Sequence, residues 1–174
     1  IPTNSKLQTI ESYAFHDSNI KEIYFPTSLK ELKEGWCDGT KQLTNIIISP
    51  SNKQFIFKDN KYLLGKSDEN NDEFDILLFA SRNINEISIP SNIKIISSSS
   101  FENCKNLTKI EIPTNSKLQT IESYAFSYSG INEISIPSNV SKICEYAFDN
   151  CQNLTKVEIP TNSKLQTIES YAFS

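Results

Sequence analysis

The fifteen-residue string IPTNSKLQTIESYAF occurs three times without a change, at 1–15, 112–126 and 159–173. A chain that repeats itself like this folds as stacked copies of one small unit. Each copy is too small to bury its own apolar face and completes its core against its neighbours. Two looser relatives, ISIPSNIKIISSSSF at 87–101 and ISIPSNVSKICEYAF at 134–148, fill the intervals. Alignment gives a unit of 23–24 residues, L-x-x-I-x-I-P-x-N-x-x-x-x-I-x-x-x-A-F followed by a few polar positions. Units open at Ile20, Leu43, Ile84, Leu107, Ile131 and Leu154, with spacings of 23, 41, 23, 24 and 23. The one long interval exceeds its neighbours by 41 − 23 = 18 residues, which marks an insertion. The whole of 1–174 reads as one repeat domain. Because it starts and stops mid-unit, a fragment of a longer array is expected, and cut coil ends would favour end-to-end self-association.

Within the unit, apolar residues at positions 4 and 6 alternate with polar ones at 3 and 5, the period of a short half-buried strand. Ile87/Ile89, Ile110/Ile112, Ile134/Ile136 and Val157/Ile159 are such pairs. Proline follows at Pro26, Pro90, Pro113, Pro137 and Pro160, where a residue without a backbone donor ends the strand. Asparagine stands two places later at Asn4, Asn92, Asn115, Asn139 and Asn162. These five are either a structural ladder, each amide serving the backbone of the next coil, or simply good turn residues. The second half of the unit brings an isoleucine and then Ala-Phe, a small and a large residue suited to a narrow core wedge.

The pattern L-x-x-I-x-I-P…I-x-x-x-A-F-x-x-C, carried for example by Leu107, Ile110, Ile112, Pro113, Ile121, Ala125 and Phe126, resembles the BspA-like leucine-rich repeat family. Cys104 and Cys151 follow Phe101 and Phe148 at the family's F-x-x-C spacing. Ser18, Ser129 and Thr40 hold that place in other units. The wording N-S-K-L-Q-T-I-x-x-Y-A-F is most similar to trichomonad surface proteins. The resemblance implies a right-handed β-rich solenoid with parallel strands on its concave face. It also implies a cell-surface or extracellular location and a non-catalytic adhesin role toward a protein or glycan ligand on a host or microbial surface. A structural stalk, with the binding surface elsewhere in a longer protein, is the alternative.

The insertion reads as a small β-hairpin or meander over 52–80 that projects from the solenoid edge. Its strands are Phe55-Ile56-Phe57, Tyr62-Leu63-Leu64 and Phe74–Phe79, with a polar link at 65–73. It is either edge protection or a distinct contact surface.

Composition enters as exclusion. One His and four Gly among 174 residues leave little for triads, zinc sites or phosphate-cradling loops. No cofactor, no metal and no enzymatic activity are expected. The formal charge of −4 disfavours nucleic acid. No apolar run approaches the roughly 18 residues of a membrane span. Cys104 and Cys151 fall two coils apart, about 10 Å by strand spacing, too far for a disulfide. Four free thiols at Cys37, Cys104, Cys144 and Cys151 are expected. Asn106, Asn139 and Asn153 head N-x-[ST] sequons, and Asp68-x-Asn70-x-Asp72 lacks the glycine and glutamate of a calcium loop. His16 has no evident partner and is expected in solvent.

Position 3 reads Glu22, Asn45, Glu86, Lys109, Glu133, Lys156, a ladder expected to neutralise itself across strands. Position 5 brings Tyr24 beside Ile47, an exposed aromatic-aliphatic pair. Tyr24, Ile47, Glu22 and Asn45 are therefore the candidate ligand-binding residues. Their alternative role is packing against the insertion. Tyr124, Tyr146 and Tyr171 form a column that is either structural stacking or a carbohydrate track.

Overall fold

The computed structural model describes residues 1–70 and 72–174. Residue 71, inside the expected 65–73 link, lies outside them. The described residues contain strands and turns and no helix. They wind as a β-solenoid of about seven turns. Front strands are β2 (Glu22–Phe25), β4 (Asn45–Ile48), β8 (Glu86–Ser88), β10 (Lys109–Glu111), β12 (Glu133–Ser135) and β14 (Lys156–Glu158). Two-residue back strands follow the proline turns: β1 (Thr9–Ile10), β3 (Glu31–Leu32), β9 (Ile95–Ile96), β11 (Thr120–Ile121), β13 (Lys142–Ile143) and β15 (Thr167–Ile168). The insertion supplies β5 (Phe55–Lys58), β6 (Tyr62–Gly65) and β7 (Ile76–Ala80).

The coil register follows from the isoleucines. Ile87 stands opposite Ile110, and Ile134 opposite Val157, in parallel pairs. Alternation turns these side chains inward and leaves Glu86, Ser88, Lys109 and Glu111 outside. The front is not one continuous sheet, however. It consists of three parallel pairs, β2–β4, β8–β10 and β12–β14. The insertion intervenes between the first two pairs. Between β10 and β12 the coil length changes. Phe126 to Ile131 is a shorter step than Phe101 to Leu107 or Phe148 to Leu154. Gly130 closes that shortcut, its N–H donating to Cys104 O at 3.1 Å. A Cβ at Gly130 would lie 2.1 Å from Lys105 O, so no side chain fits.

The longest sheet is on the back, in the order β15-β13-β11-β9-β7-β6-β5. Contrary to expectation, the insertion does not project from the solenoid edge. β7 takes a back-strand place, pairing in parallel with β9 through Ile76↔Ile95 and Leu77↔Ile96. β6 and β5 continue the sheet antiparallel. All four residues of β6 are buried, as the apolar run Tyr62-Leu63-Leu64 requires of a strand covered on both faces. Leu63 and Phe79 face an N-terminal core with Phe25, Trp36 and Leu43, while Tyr62, Leu64 and Leu77 face the core of the later coils. Asp59 and Asn60, both at positive φ, make the tight hairpin turn between β5 and β6.

The two cores use aromatics differently. Phe101, Phe126, Phe148 and Phe173 stack face to face at 4.8, 5.0 and 4.9 Å, because identical coils repeat at the strand spacing. Trp36 instead meets Phe15, Phe25 and Phe79 edge-on or tilted at 5.8–6.2 Å.

The asparagines divide in two. Asn92 and Asn139 are half-buried, and their amides donate to Phe74 O (2.7 Å) and Ser116 O (2.8 Å). Asn4, Asn115 and Asn162 are exposed. The reason is local. In P-T-N-S-K-L coils the stretch from Pro113 to Leu118 is two residues longer than from Pro90 to Ile93, which swings the asparagine outward. Ser5, Ser116 and Ser163 then take over, each Oγ accepting the N–H two residues on at 3.1 Å. Ser28 and Asn52 occupy the cross-coil role in the second and third coils, donating to Ser5 O and Leu7 O, and to Pro26 O and Leu29 O.

Candidate interaction surface

β2 and β4 set Glu22 opposite Asn45, Ile23 opposite Ile46, and Tyr24 opposite Ile47. Ile23, Phe25 and Ile46 go into the core, so Glu22, Tyr24, Asn45 and Ile47 form one outward tile. Asn45 Nδ2 donates to Glu22 Oε2 at 2.6 Å, tying down the polar half. Tyr24 and Ile47 make the apolar half; Ile47 is 43% exposed, whereas Tyr24, expected to be exposed as well, is half-buried. The outward faces of the later front strands, β8, β10, β12 and β14, offer nothing comparable. Ser135 Oγ donates to Glu158 at 2.7 Å, and Lys109 and Lys156 close ion pairs with Glu111 and Glu158 on their own strands at 2.8 and 2.6 Å. The ion pairs of β10 and β14 thus run along their own strands, while Glu86 and Glu133 stand opposite Lys109 and Lys156 and add the expected cross-strand attraction as the weaker part. The two lysines can reach the glutamate two places on because both side chains leave the same face.

The tyrosine column forms over three coils. Tyr124–Tyr146 and Tyr146–Tyr171 stack at 5.0 and 5.1 Å, with interplanar angles of 9° and 5°. The inner faces are occupied by one another, and a sugar ring stacks on a free face, so this geometry favours a structural column. All three residues, and Tyr13, sit at φ near +58°. Tyr13 stands apart, edge-on to His16 at 6.0 Å with its ring over Gly35.

Beside the tile, the third coil lacks an Ala-Phe corner. β7 ends at Ala80 and the next unit opens at Ile84. The corner of the second coil therefore lies directly against that of the fourth. Elsewhere a backbone rung joins successive corners, as Phe101 N–H to Ala125 O at 2.7 Å and Phe126 N–H to Ala147 O at 2.7 Å. Here side chains do that work. Arg82, the only arginine of the chain, is buried. Its Nε donates to Thr40 O at 3.1 Å, Nη1 to Ser100 O at 2.9 Å and Nη2 to Ser99 O at 3.1 Å, and the guanidinium lies 4.7 Å from the Phe79 centroid. Glu102, also buried, accepts the Gly39 N–H at 2.8 Å. Burial and the neighbouring Asp38 push its carboxyl up to about 7, against the opposing pull of the Gly39 bond and Arg82. Asp38 in turn accepts from Ser99 Oγ at 3.2 Å and lies 2.7 Å from His16 Nδ1. His16 is exposed, as expected, but it is not without a partner, being tied to the next corner through Asp38. No sequence motif announces this cluster. The one signal available was a lone arginine at the seam where one coil loses its Ala-Phe.

All four cysteines are buried and free. Cys37, pushed up to about 12 by burial, and Cys104, raised for the same reason, flank the Arg82 guanidinium at 3.6 and 3.8 Å. Cys151 Sγ donates to Phe126 O at 3.0 Å, closing its corner on the preceding coil. Asn106 and Asn153 are exposed, whereas Asn139 is half-buried and bonded. Asp68 accepts from Asn70 N–H at 2.9 Å, a local turn. Among the described residues no group of three or more metal-ligating side chains gathers, and no helix is long and apolar enough to cross a membrane.

Solved structures share this architecture. A leucine-rich repeat protein from Eubacterium ventriosum matches with a TM-score of 0.80 at 28% identity, over 94% of this chain and 42% of that one. The pneumococcal vaccine antigen PcpA matches at 0.71 and 21% identity, over 92% and 44%. A leucine-rich cell surface protein from Faecalibacterium prausnitzii matches at 0.56 and 20% identity, over 93% and 55%. The chain thus spans about half, or less, of the length of these proteins. No curated protein matches by sequence. The model of the BspA type leucine-rich repeat region matches in six copies over residues 1–63 and 73–174. The chain belongs to the BspA-type leucine-rich repeat family.

Proposed function

We propose that this chain is a non-catalytic interaction module of a cell-surface or extracellular protein, engaging a protein or glycan on a host or microbial surface. The tile of Tyr24, Ile47, Glu22 and Asn45 is its contact. The observation that carries this reading is contrast. The tile presents an apolar pair beside a tethered polar pair, whereas the later coils present lysines and glutamates already satisfied by one another. Aromatic and aliphatic residues bared on a surface are the usual anchors of a contact. The likeness to the Faecalibacterium cell surface protein supports the location, and the wording of the repeat supports a trichomonad source. The identity of the segments 112–126 and 159–173 favours a second reading, a stalk that carries contacts elsewhere in a longer protein.

Deleting 52–80 would not test this, because Leu63, Leu77 and Phe79 belong to the core. The test is binding to epithelial membranes and to immobilised matrix proteins by the wild-type chain and by Tyr24→Ser/Ile47→Ser. Loss of at least about tenfold in the double variant, with an unchanged circular dichroism spectrum, is expected. Equal binding by both chains, or none by either, would favour the stalk.

A further inference from the structure

Where the second coil meets the fourth, two carboxyl groups face each other across the place a third corner would fill. Asp38 comes from the N-terminal side and Glu102 from the C-terminal side, and the two are in contact. The charged and titratable groups around them are His16 on the first coil, with Asp17 on its far side at 3.4 Å; Cys37 on the second; Arg82 at the end of the insertion; Cys104 on the fourth; and Tyr124 on the fifth, which feels the charge of Asp38. Ser99, Asn103 and the Gly39 N–H complete the polar shell. With one proton on the pair, a single anion sits beside Arg82. With none, two anions touch in a buried corner that lacks a backbone rung to hold it shut.

We propose that Asp38 and Glu102 form a proton-operated latch between the two halves of the array. It is closed while the pair holds one proton and open once that proton has passed to solvent. The coils that carry the tile then pivot on β6 and β7. In the closed corner the Glu102 carboxyl titrates at about 7, and in an opened, hydrated corner it returns toward the ordinary 4.5. A group raised in this way favours the closed form fully below about 4.5, and that advantage is lost as pH rises through about 7. The latch does not depend on what the tile binds.

Cys37 and Cys104 provide the readout, since both are fully buried against Arg82 in the closed corner. The whole 174-residue chain is labelled with a maleimide from about pH 5.5 to 8.5, and each cysteine is followed by peptide mass spectrometry. Rates are divided by those of the urea-unfolded chain at the same pH, which cancels the ordinary gain in thiolate. Expected is a rise on the order of tenfold for Cys37 and Cys104 across this range, with Cys144 and Cys151 flat. Glu102→Gln should abolish the rise. Asp38→Asn removes the neighbouring negative charge but leaves Glu102 buried, so it should reduce the rise without abolishing it, and either variant tests the latch if the other does not fold. Three results would overturn the latch: flat wild-type profiles at Cys37 and Cys104, a wild-type rise kept in both variants, or a parallel rise at Cys144 and Cys151 signifying global loosening.

Discussion

Residues 84–174 and residues 20–83 are written in the same unit, yet they solve the packing problem differently. In the later coils each residue sits above its own copy, so phenylalanines, tyrosines and backbone rungs repeat at the coil spacing. In the earlier segment the layers are unequal. Three inserted strands widen the back while the corner loses a loop altogether. There, continuity passes to individual side chains: Trp36 and Phe79 in the core, Arg82 and Glu102 at the seam. Translational repetition makes stability easy to specify and surfaces alike, whereas breaking it produces a surface and a joint found nowhere else among the described residues.

That contrast can be broken at the core. Phe79→Ala should cost about 3–5 kcal/mol, because a fully buried ring between Trp36 and Arg82 leaves a cavity. Trp36, the only tryptophan, reports on the N-terminal core alone. Its fluorescence transition in urea should move to lower denaturant than the far-ultraviolet transition of the whole chain. If both move together, the two regions unfold as one. Arg82→Met should cost about 2–3 kcal/mol, by stranding the carbonyls of Thr40, Ser99 and Ser100, and should separate the two transitions in the same way. In the regular region, Gly130→Ala should cost about 1–3 kcal/mol, since the new methyl meets Lys105 O, and here the tryptophan transition should stay nearer its wild-type midpoint. The smallest effect is Tyr146→Ala, which removes two stacking contacts but relieves no strain at its positive φ. A loss of about 1 kcal/mol in urea denaturation is expected, and a larger one would give the column more than a supporting part.

The coil register was legible in the sequence because apolar spacing states it in every unit, and proline position in every unit but the one that opens at Leu43. Ile134 opposite Val157 and Tyr24 opposite Ile47 needed nothing else. The three strands of the insertion were legible for the same reason, since short apolar runs bounded by polar turns are local signals. Their destination was not. Whether Leu63 is a projecting hairpin residue or a wall between two cores depends on which coil gives up its corner, and that is a long-range fact. Asn115 illustrates a subtler loss. Its unit reads like that of Asn92, but two extra residues before Leu118 turn it to solvent and hand its place to Ser116. The cluster of His16, Asp38, Arg82 and Glu102 joins residues up to 86 apart (102 − 16) through a missing loop, so no spacing rule could bring it out.

The central claim is that recognition belongs to the irregular segment and not to the repeated coils. Hydrogen exchange of the chain bound to a matrix protein or membrane fraction that it retains tests this most directly. Slowed exchange confined to Glu22–Phe25 and Asn45–Ile48 is the predicted footprint. A footprint spread over Glu133–Ser135 and Lys156–Glu158, with β2 and β4 unchanged, would contradict it.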